Sequence, residues 1–555
     1  MPSSIKFKVI SSLHKCFYDD SIDNFESISQ ISLFKNETAS FQALYFDTKP
    51  DNALNFAKVC IEGELKNYIS VRQVVCVPSA YPVCPHDHDE NYLRTAPGLY
   101  PDLITELDYN NRVTLISGNL RALWFDIKLK NDIKGGSYPT KISLKLDDGF
   151  VLGEADLNVR IIDAELPDYN TYHSEWFYTD CLSQYYDVEV FSEEHFSIIE
   201  NFLITAKENG INSTLIPVFT PALDTYVGGE RLTTQLVKIT QDNGVYSFDF
   251  SLVERYISLC QKCGMTYFEI PHFYTQWGAK AAPKFMATVN GEYKKIFGWE
   301  TDSTSAEYVA FLDAFIPQLL NCLTNIGVID STVFHVSDEP EPKQFDHYNI
   351  VSQNLLKHLD GYTIIDAVGN VDVYTRGIVK KPAVILNAVD DFLKAGAKDD
   401  MIAYYCCQPM KTYSNRFMAM PSARTRIIGV QLYKFGINGF MHWGYNYYNT
   451  RFSYNAINPY LDTTGAYFAP SGDTFLVYPG PHGNPQDSIR LKLMRDAFYD
   501  LRALKYLESL TSKEYVLSLI QEGLDYDLNF SKYPTDAEYL FNLRNKVNEA
   551  IAKHK

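Results

Sequence analysis

Val333-Phe-His-Val-Ser-Asp338-Glu339-Pro340 is a short apolar run closed by two adjacent carboxylates and a proline. It reads as a buried strand. Taken alone, its tail also reads as a strand-to-helix turn, with Ser337 or Asp338 as the helix cap and Pro340 just inside the helix. The segments on either side decide whether it is more than a turn.

From Thr171 onward, short apolar strands alternate with long amphipathic helices. The strands read as YHSEWFYTD, TLIPVF, YFEIPHF, VFHVSDE, YTIIDAV, AVILNAV, IAYYCC and GFMHWGYN. Helix patterns such as SEEHFSIIENFLITAKENG and SAEYVAFLDAFIPQLLNCLTNIG lie between them. Gly210, Gly264, Gly327 and Gly436 each follow a helix, where a left-handed terminal residue belongs. This alternation predicts a (β/α)8 TIM-type barrel over 169–555. Helical segments after about residue 485 supply its last helix and a C-terminal extension.

Residues 1–168 differ. IKFKVI, SFQALYF, ISVRQVVCV, LRALWFDIKL and LNVRIIDAEL alternate apolar and polar side chains between Asn, Asp, Gly and Pro turns. They predict an antiparallel β-sandwich, joined to the barrel through ELPDYN at 165–170.

The chain has 555 residues, 46% of them hydrophobic and 21% charged, as expected of a folded globular protein. Its net charge of -18 argues against a nucleic-acid partner, which would select a basic face. The N-terminal MPSSIKFKVISSLHKCF shows no apolar leader core, and no run of about 18 apolar residues suggests a membrane span. A cytoplasmic protein is expected. The ten cysteines are scattered, as reduced thiols would be. Cys260 and Cys263 form one Cys-x-x-Cys at a helix end without a second ligand pair, and the vicinal Cys406 and Cys407 read as buried thiols. No metal or cofactor is expected. The oligomeric state stays open.

In a barrel of this kind chemistry lives where strands finish. Strand one ends at Trp176 and Asp180, and Asp224 follows strand two. Strand three ends at His272, Gln276 and Trp277, and strand four at Asp338 and Glu339. Asp366, Asn387, Tyr404 and Tyr405 close strands five to seven, and Trp443 and Tyr445 close strand eight. Two acids flanked by aromatic rings are the equipment for holding and cleaving a glycoside, because sugar hydroxyls need polar partners while C–H faces pack on rings. Two long segments, 277–301 and 470–490, read as loops without clear periodicity. Asp473 and Tyr478 in the second are candidates to close on a ligand.

The motifs Trp176-Phe-Tyr-Thr-Asp180, Phe219-Thr-Pro-Ala-Leu-Asp-Thr225, Thr275-Gln-Trp-Gly-Ala-Lys280, Ser337-Asp-Glu-Pro340, Phe417-Met-Ala-Met-Pro-Ser-Ala-Arg424, His442-Trp-Gly-Tyr-Asn446 and Ser471-Gly-Asp-Thr-Phe-Leu-Val-Tyr-Pro-Gly480 resemble glycoside hydrolase family 123. They occur in the family's order across the barrel half. The resemblance implies a retaining exo-β-N-acetylgalactosaminidase acting on glycans with a terminal β-linked N-acetylhexosamine. In such enzymes the 2-acetamido oxygen of the substrate is the nucleophile, an exception to the two-carboxylate rule.

Carried onto this chain, the resemblance makes Glu339 the general acid and then the base. Asp338 would orient the acetamido group as an oxazolinium forms. Trp443 with Tyr404 or Tyr405 would wall the acetamido pocket. Glu339 should then have a raised pKa, Asp338 should stay ionised, and Glu339, preceding proline, should stay extended. Two other readings remain. One is a hydrolase of a different glycoside with Asp180, Asp366 or Asp473 as nucleophile. The other is a carbohydrate-binding protein without chemistry.

Overall fold

The computed structural model describes residues 5–49, 55–108, 110–130 and 133–555. These form two compact units that interleave along the chain. The first takes Met1–Tyr169, Ser414–Lys434 and Gln486–Lys555, and the second takes Asn170–Tyr413 and Phe435–Pro485.

In the first unit two sheets share one hydrophobic core. Ile5–Ser11, Thr38–Asp47, Leu120–Lys128, Ile69–Ser79 and Gly98–Glu106 lie side by side in one sheet. Gln30–Phe34, Val151–Ile162, Gly136–Lys145, Asn55–Glu62 and Arg112–Leu115 form the other. Phe41 and Phe125 stack at 4.7 Å within the core, which also buries Leu33, Ile142, Leu144 and Val159. Among the described residues these strands pair antiparallel, except that Gln30–Phe34 runs parallel to Val151–Ile162.

The helix Ile489–Leu510, read from sequence as part of the barrel, clusters with this first unit. Its buried arginines explain why. Arg490 makes a two-pronged ion pair to Asp102 at 2.9 and 2.8 Å, and Arg495 reaches Asp126 at 3.3 Å. Sequence periodicity treats such charges as a solvated face, whereas here each has a carboxylate partner in the first sheet. Buried charges persist only when paired in this way.

The second unit holds eight parallel strands: Tyr172–Glu175, Ser213–Leu215, Tyr267–Glu269, Thr332–Phe334, Thr363–Val368, Lys381–Ile385, Ile402–Tyr404 and Gly439–His442. Their order in the sheet follows the chain, with Tyr172–Glu175 pairing back onto Gly439–His442. Between strands one and two the ladder is thin, and the Asn212 N–H donates to the His173 carbonyl at 3.1 Å. The result is a nearly closed parallel barrel. Ala306–Ile326 is long and apolar enough to cross a membrane by length and composition. Here it buries Phe311, Phe315, Ile316 and Leu319, and Gly327 ends it with φ of 83°.

One of the two segments expected to be irregular is not. Phe285–Val289 and Glu292–Phe297 form a hairpin turned by Asn290 and Gly291, with φ of 48° and 90°. Lys238–Asp242 and Val245–Asp249 form another, turned by Asn243 and Gly244 at 50° and 82°. Both carry the Asn-Gly signal of a tight hairpin, and together they make a four-stranded sheet. The second segment carries the short strands Tyr478–Pro479 and Pro485–Ser488, and residues 471–480 are buried throughout.

Candidate active site

The ladder of strand four stops at Phe334, and the chain continues extended to the acid pair. Neighbouring strand ends hold it there. The Val336 N–H donates to Asp366 Oδ1 at 2.9 Å, Ser337 Oγ donates to the Thr275 carbonyl at 2.9 Å, and the Glu339 N–H donates to the Ala367 carbonyl at 3.2 Å. Glu339 is not extended as expected. Its φ is 41°, in the left-handed region that a non-glycine residue occupies only when its surroundings impose it. This kink frees neighbouring residues from the strict alternation of a strand, so that Asp338 and Glu339 face the same cavity.

That cavity has a volume of about 280 Å³. Its carboxylates are Asp224, Asp338 and Glu339, and its rings include Trp176, Trp277, Tyr404 and Trp443. Tyr404 donates its hydroxyl to Glu339 Oε1 at 2.5 Å. Tyr405 points elsewhere, packing edge-on against Phe440 at 4.9 Å and His442 at 5.6 Å. This resolves which of the two tyrosines faces the site.

Asp338 is half-buried and Glu339 is exposed. Burial, reinforced by Glu339, Asp224 and Asp366, pushes the Asp338 carboxyl well above the usual range. Sequence reading expects Asp338 to stay ionised, whereas its burial and the like charges around it favour the neutral form. Asp224, with φ of 60°, accepts from the Tyr178 hydroxyl at 3.0 Å. Burial lifts it to about 6, against the pull of Arg231 and that hydroxyl.

Other sequence candidates divide into wall and support. Gln276 lines the cavity, its Nε2 donating to the Thr225 carbonyl at 2.8 Å. Its buried Oε1 has no partner among the described residues. Trp277 lines the mouth and is 42% exposed, an open ring surface. Trp443 is held from behind: its Nε1 donates to Asp473 Oδ2 at 3.1 Å, and Asp473 Oδ1 lies 3.2 Å from His442 Nε2. Asp473 thus supports the wall instead of lining it. Asp366 lies beneath the acid pair, bound by Val336 and Tyr348.

Asp180 is committed to Arg231 through two bonds of 2.7 and 2.8 Å and is buried away from the cavity lining. Tyr445 stacks on Phe177 and donates to the Phe202 carbonyl at 2.9 Å, and Tyr478 packs on Phe475. Asn387 is exposed in the turn Leu386–Ala388, outside the lining. Patterning marked Asp180, Tyr445 and Asn387 as strand ends and Tyr478 as a loop residue, but could not say which way each side chain turns.

Glu269 was not foreseen. It sits inside the barrel, receiving Ser174 Oγ, Ser213 Oγ at 2.5 Å, Trp176 Nε1 at 3.0 Å and His335 Nε2 at 3.1 Å. Burial works to raise its pKa, but His335 and the serine hydroxyls more than offset this and hold it below the usual value. Its bond to the indole fixes the Trp176 wall. The glutamate interrupts the apolar run YFEIPHF, and that interruption was its only signal.

His272, His335 and Asp366 bring ligand-type atoms within 4.8 Å of one another, a grouping invisible in the sequence. Both nitrogens of His335 are engaged, by the Ile365 carbonyl and Glu269, and both oxygens of Asp366 are engaged by Val336 and Tyr348. His272 stacks on His335 at 4.6 Å, and its buried Nε2 has no partner among the described residues. The trio is knit into the barrel interior rather than opened toward an ion. Met441, Arg451, Phe452 and Phe468 also line the cavity without having been singled out from sequence, and Cys406 and Cys407, read from sequence as buried thiols, line it too and are only partly buried.

Comparison with known proteins agrees with this fold. A family 123 glycoside hydrolase from Clostridium perfringens, studied for glycolipid glycan hydrolysis, superposes with a TM-score of 0.74 at 14% identity. The match covers 99% of this chain and 97% of that one. A xyloglucanase from Bacteroides ovatus (TM-score 0.28, 7% identity, 85% of this chain and 98% of that one) and a β-glucuronidase from Parabacteroides merdae (0.30, 9%, 90% and 52%) match only loosely. No protein of curated function matches. The model of the glycoside hydrolase 123 catalytic domain matches residues 176–507, more than half of the sequence, and the chain belongs to that family.

Proposed function

We propose that the protein is a retaining exo-β-N-acetylgalactosaminidase that uses the substrate's 2-acetamido oxygen as nucleophile. The supporting observation is the Asp338–Glu339 pair, turned together into one cavity by the Glu339 kink. A conventional retaining mechanism needs a separate carboxylate nucleophile across the sugar. Asp180 is spent on Arg231, and Asp366 and Asp473 lie outside the lining, which leaves Asp224 as the acid for that alternative.

In the proposed reaction the acetamido N–H donates to Asp338. That bond stabilises the ionised carboxylate against the burial that raises its pKa. Glu339, as the acid, gives its proton to the leaving oxygen while the acetamido oxygen closes on the anomeric carbon. Glu339 then takes a proton from the water that opens the oxazoline. Tyr404 holds Glu339 in line for both transfers.

Inhibition by a thiazoline mimic of the oxazoline tests the reading. Competitive inhibition, with no sugar ester on the protein during turnover, is expected. A trapped glycosyl ester on Asp224 would replace this reading with the two-carboxylate one.

A further inference from the structure

Arg451 is the only lysine or arginine among the described residues that line the cavity, and it is exposed. The chain has 68 Asp and Glu against 50 Lys and Arg. Yet among the described residues no carboxylate lies within ion-pair reach of this guanidinium, and no protein acceptor takes its side-chain N–H groups. Its contacts are ring faces, with the guanidinium carbon 4.4 Å from the Phe452 centroid and 5.6 Å from that of Phe468. Stacking of this kind holds the plane while leaving its N–H edge open.

The rings belong to a continuous aromatic rim. Phe452 meets Trp277 edge-on at 5.3 Å, and Phe468 meets Trp443 at 5.6 Å. The backbone that presents Arg451 is strained, with φ of 59° at Phe452 and 55° at Ser453. Hydrogen bonds hold it so. The buried Tyr447 hydroxyl donates to the Thr450 carbonyl at 2.9 Å and accepts the Ser453 N–H at 3.2 Å. Ser453 Oγ donates to the Asp224 carbonyl at 2.7 Å. The cation is therefore fixed relative to the loop that supplies a cavity carboxylate.

Deeper in the cavity Asp224, Asp338 and Glu339 would repel a negative group. At the rim the balance reverses, and an open guanidinium fork is complementary to a planar or tetrahedral oxyanion. We propose that Arg451 recognises an anionic substituent, a sulfate ester or a carboxylate, on a glycan bound at this mouth. The substrate class is then acidic amino-sugar glycosides. The class of substrate rests on the reaction proposed above, but the anion contact does not.

Calorimetry with Glu339→Gln protein separates the two. The ligands are N-acetylgalactosamine, its 6-sulfate, and N-acetyl-β-galactosaminyl glucuronic acid. At least one acidic ligand should bind roughly tenfold tighter than the neutral sugar at low salt, the scale of a charge-assisted contact. The advantage should shrink with added salt and be lost in Arg451→Gln. A preference confined to the sulfate places the anion on the terminal sugar, and one confined to the glucuronide places it on the next residue. Equal binding of neutral and acidic ligands, no binding of the acids, or an acid preference that survives Arg451→Gln overturns the inference. Wild-type kinetics complete the separation. Cleavage of neutral N-acetylgalactosaminides without any acid preference rejects the inference alone. Acid preference through Arg451 without cleavage of any amino-sugar glycoside rejects the proposed reaction and leaves the anion site.

Discussion

Tyr404, at the end of barrel strand seven, donates its hydroxyl to Glu339, at the end of strand four, at 2.5 Å. The bond crosses the barrel mouth and restrains a carboxylate whose own backbone is held in an uncommon conformation. Tyr404→Phe keeps the ring and removes the restraint. We expect kcat to fall roughly tenfold to a hundredfold, less than the ~10²–10⁴-fold of a positioned acid or base. KM should change little. A change confined to KM would place Tyr404 in substrate binding instead.

Asp180 and Arg231 form a buried ion pair. Asp180→Asn leaves the guanidinium without its charge partner, a loss of about 3–5 kcal/mol for a pair of this kind. Urea unfolding should show this destabilisation, while turnover per folded molecule falls less than tenfold. Abolished turnover in fully folded protein would return Asp180 to the reaction.

Asp366 has a folded pKa near 6 against an ordinary 3.8, raised chiefly by burial. The unfolded chain then releases the proton at lower pH than the folded one. This carboxyl costs no stability below pH 3.8, costs progressively more as pH rises to about 6, and costs its full amount above that. Asp366→Asn removes the titration. The melting temperature of the variant minus that of the wild type should rise across this window and then level off. A difference that falls with rising pH would contradict the assignment.

Gln276 presents a buried Oε1 without a protein partner among the described residues, on the cavity wall. An acceptor left in this way is costly unless a ligand hydroxyl donates to it. Gln276→Leu should lower kcat/KM roughly tenfold on the full sugar. It should have less effect on the deoxy sugar that lacks the donating hydroxyl. Equal losses across a deoxy series would assign Gln276 a packing role.

The alternation of strand and helix made the eight barrel strands legible, because fully covered strands must be apolar and their ends must not be. The same logic located Asp338, Glu339, Trp176, Trp277 and Trp443. It could not choose between Tyr404 and Tyr405, since neighbouring side chains diverge and the choice depends on where the strand stops. It counted Asp180 as a site acid because Arg231, its partner, lies 51 residues away. The helix Ile489–Leu510 reads from sequence as part of the barrel for a similar reason, the carboxylate partners of Arg490 and Arg495 lying far away in the first sheet. Arg451 gave no signal, because its meaning comes from the ion pair it lacks.

Hydrolysis of 4-nitrophenyl N-acetyl-β-D-galactosaminide, with the gluco epimer, the plain β-galactoside and Glu339→Gln run alongside, tests the central claim most directly. Release from the N-acetylgalactosaminide but not from the plain galactoside, with a loss in folded Glu339→Gln that is smaller for better leaving groups, is the predicted result. Equal release from the plain galactoside, or a loss in Glu339→Gln that is the same for good and poor leaving groups, would contradict it.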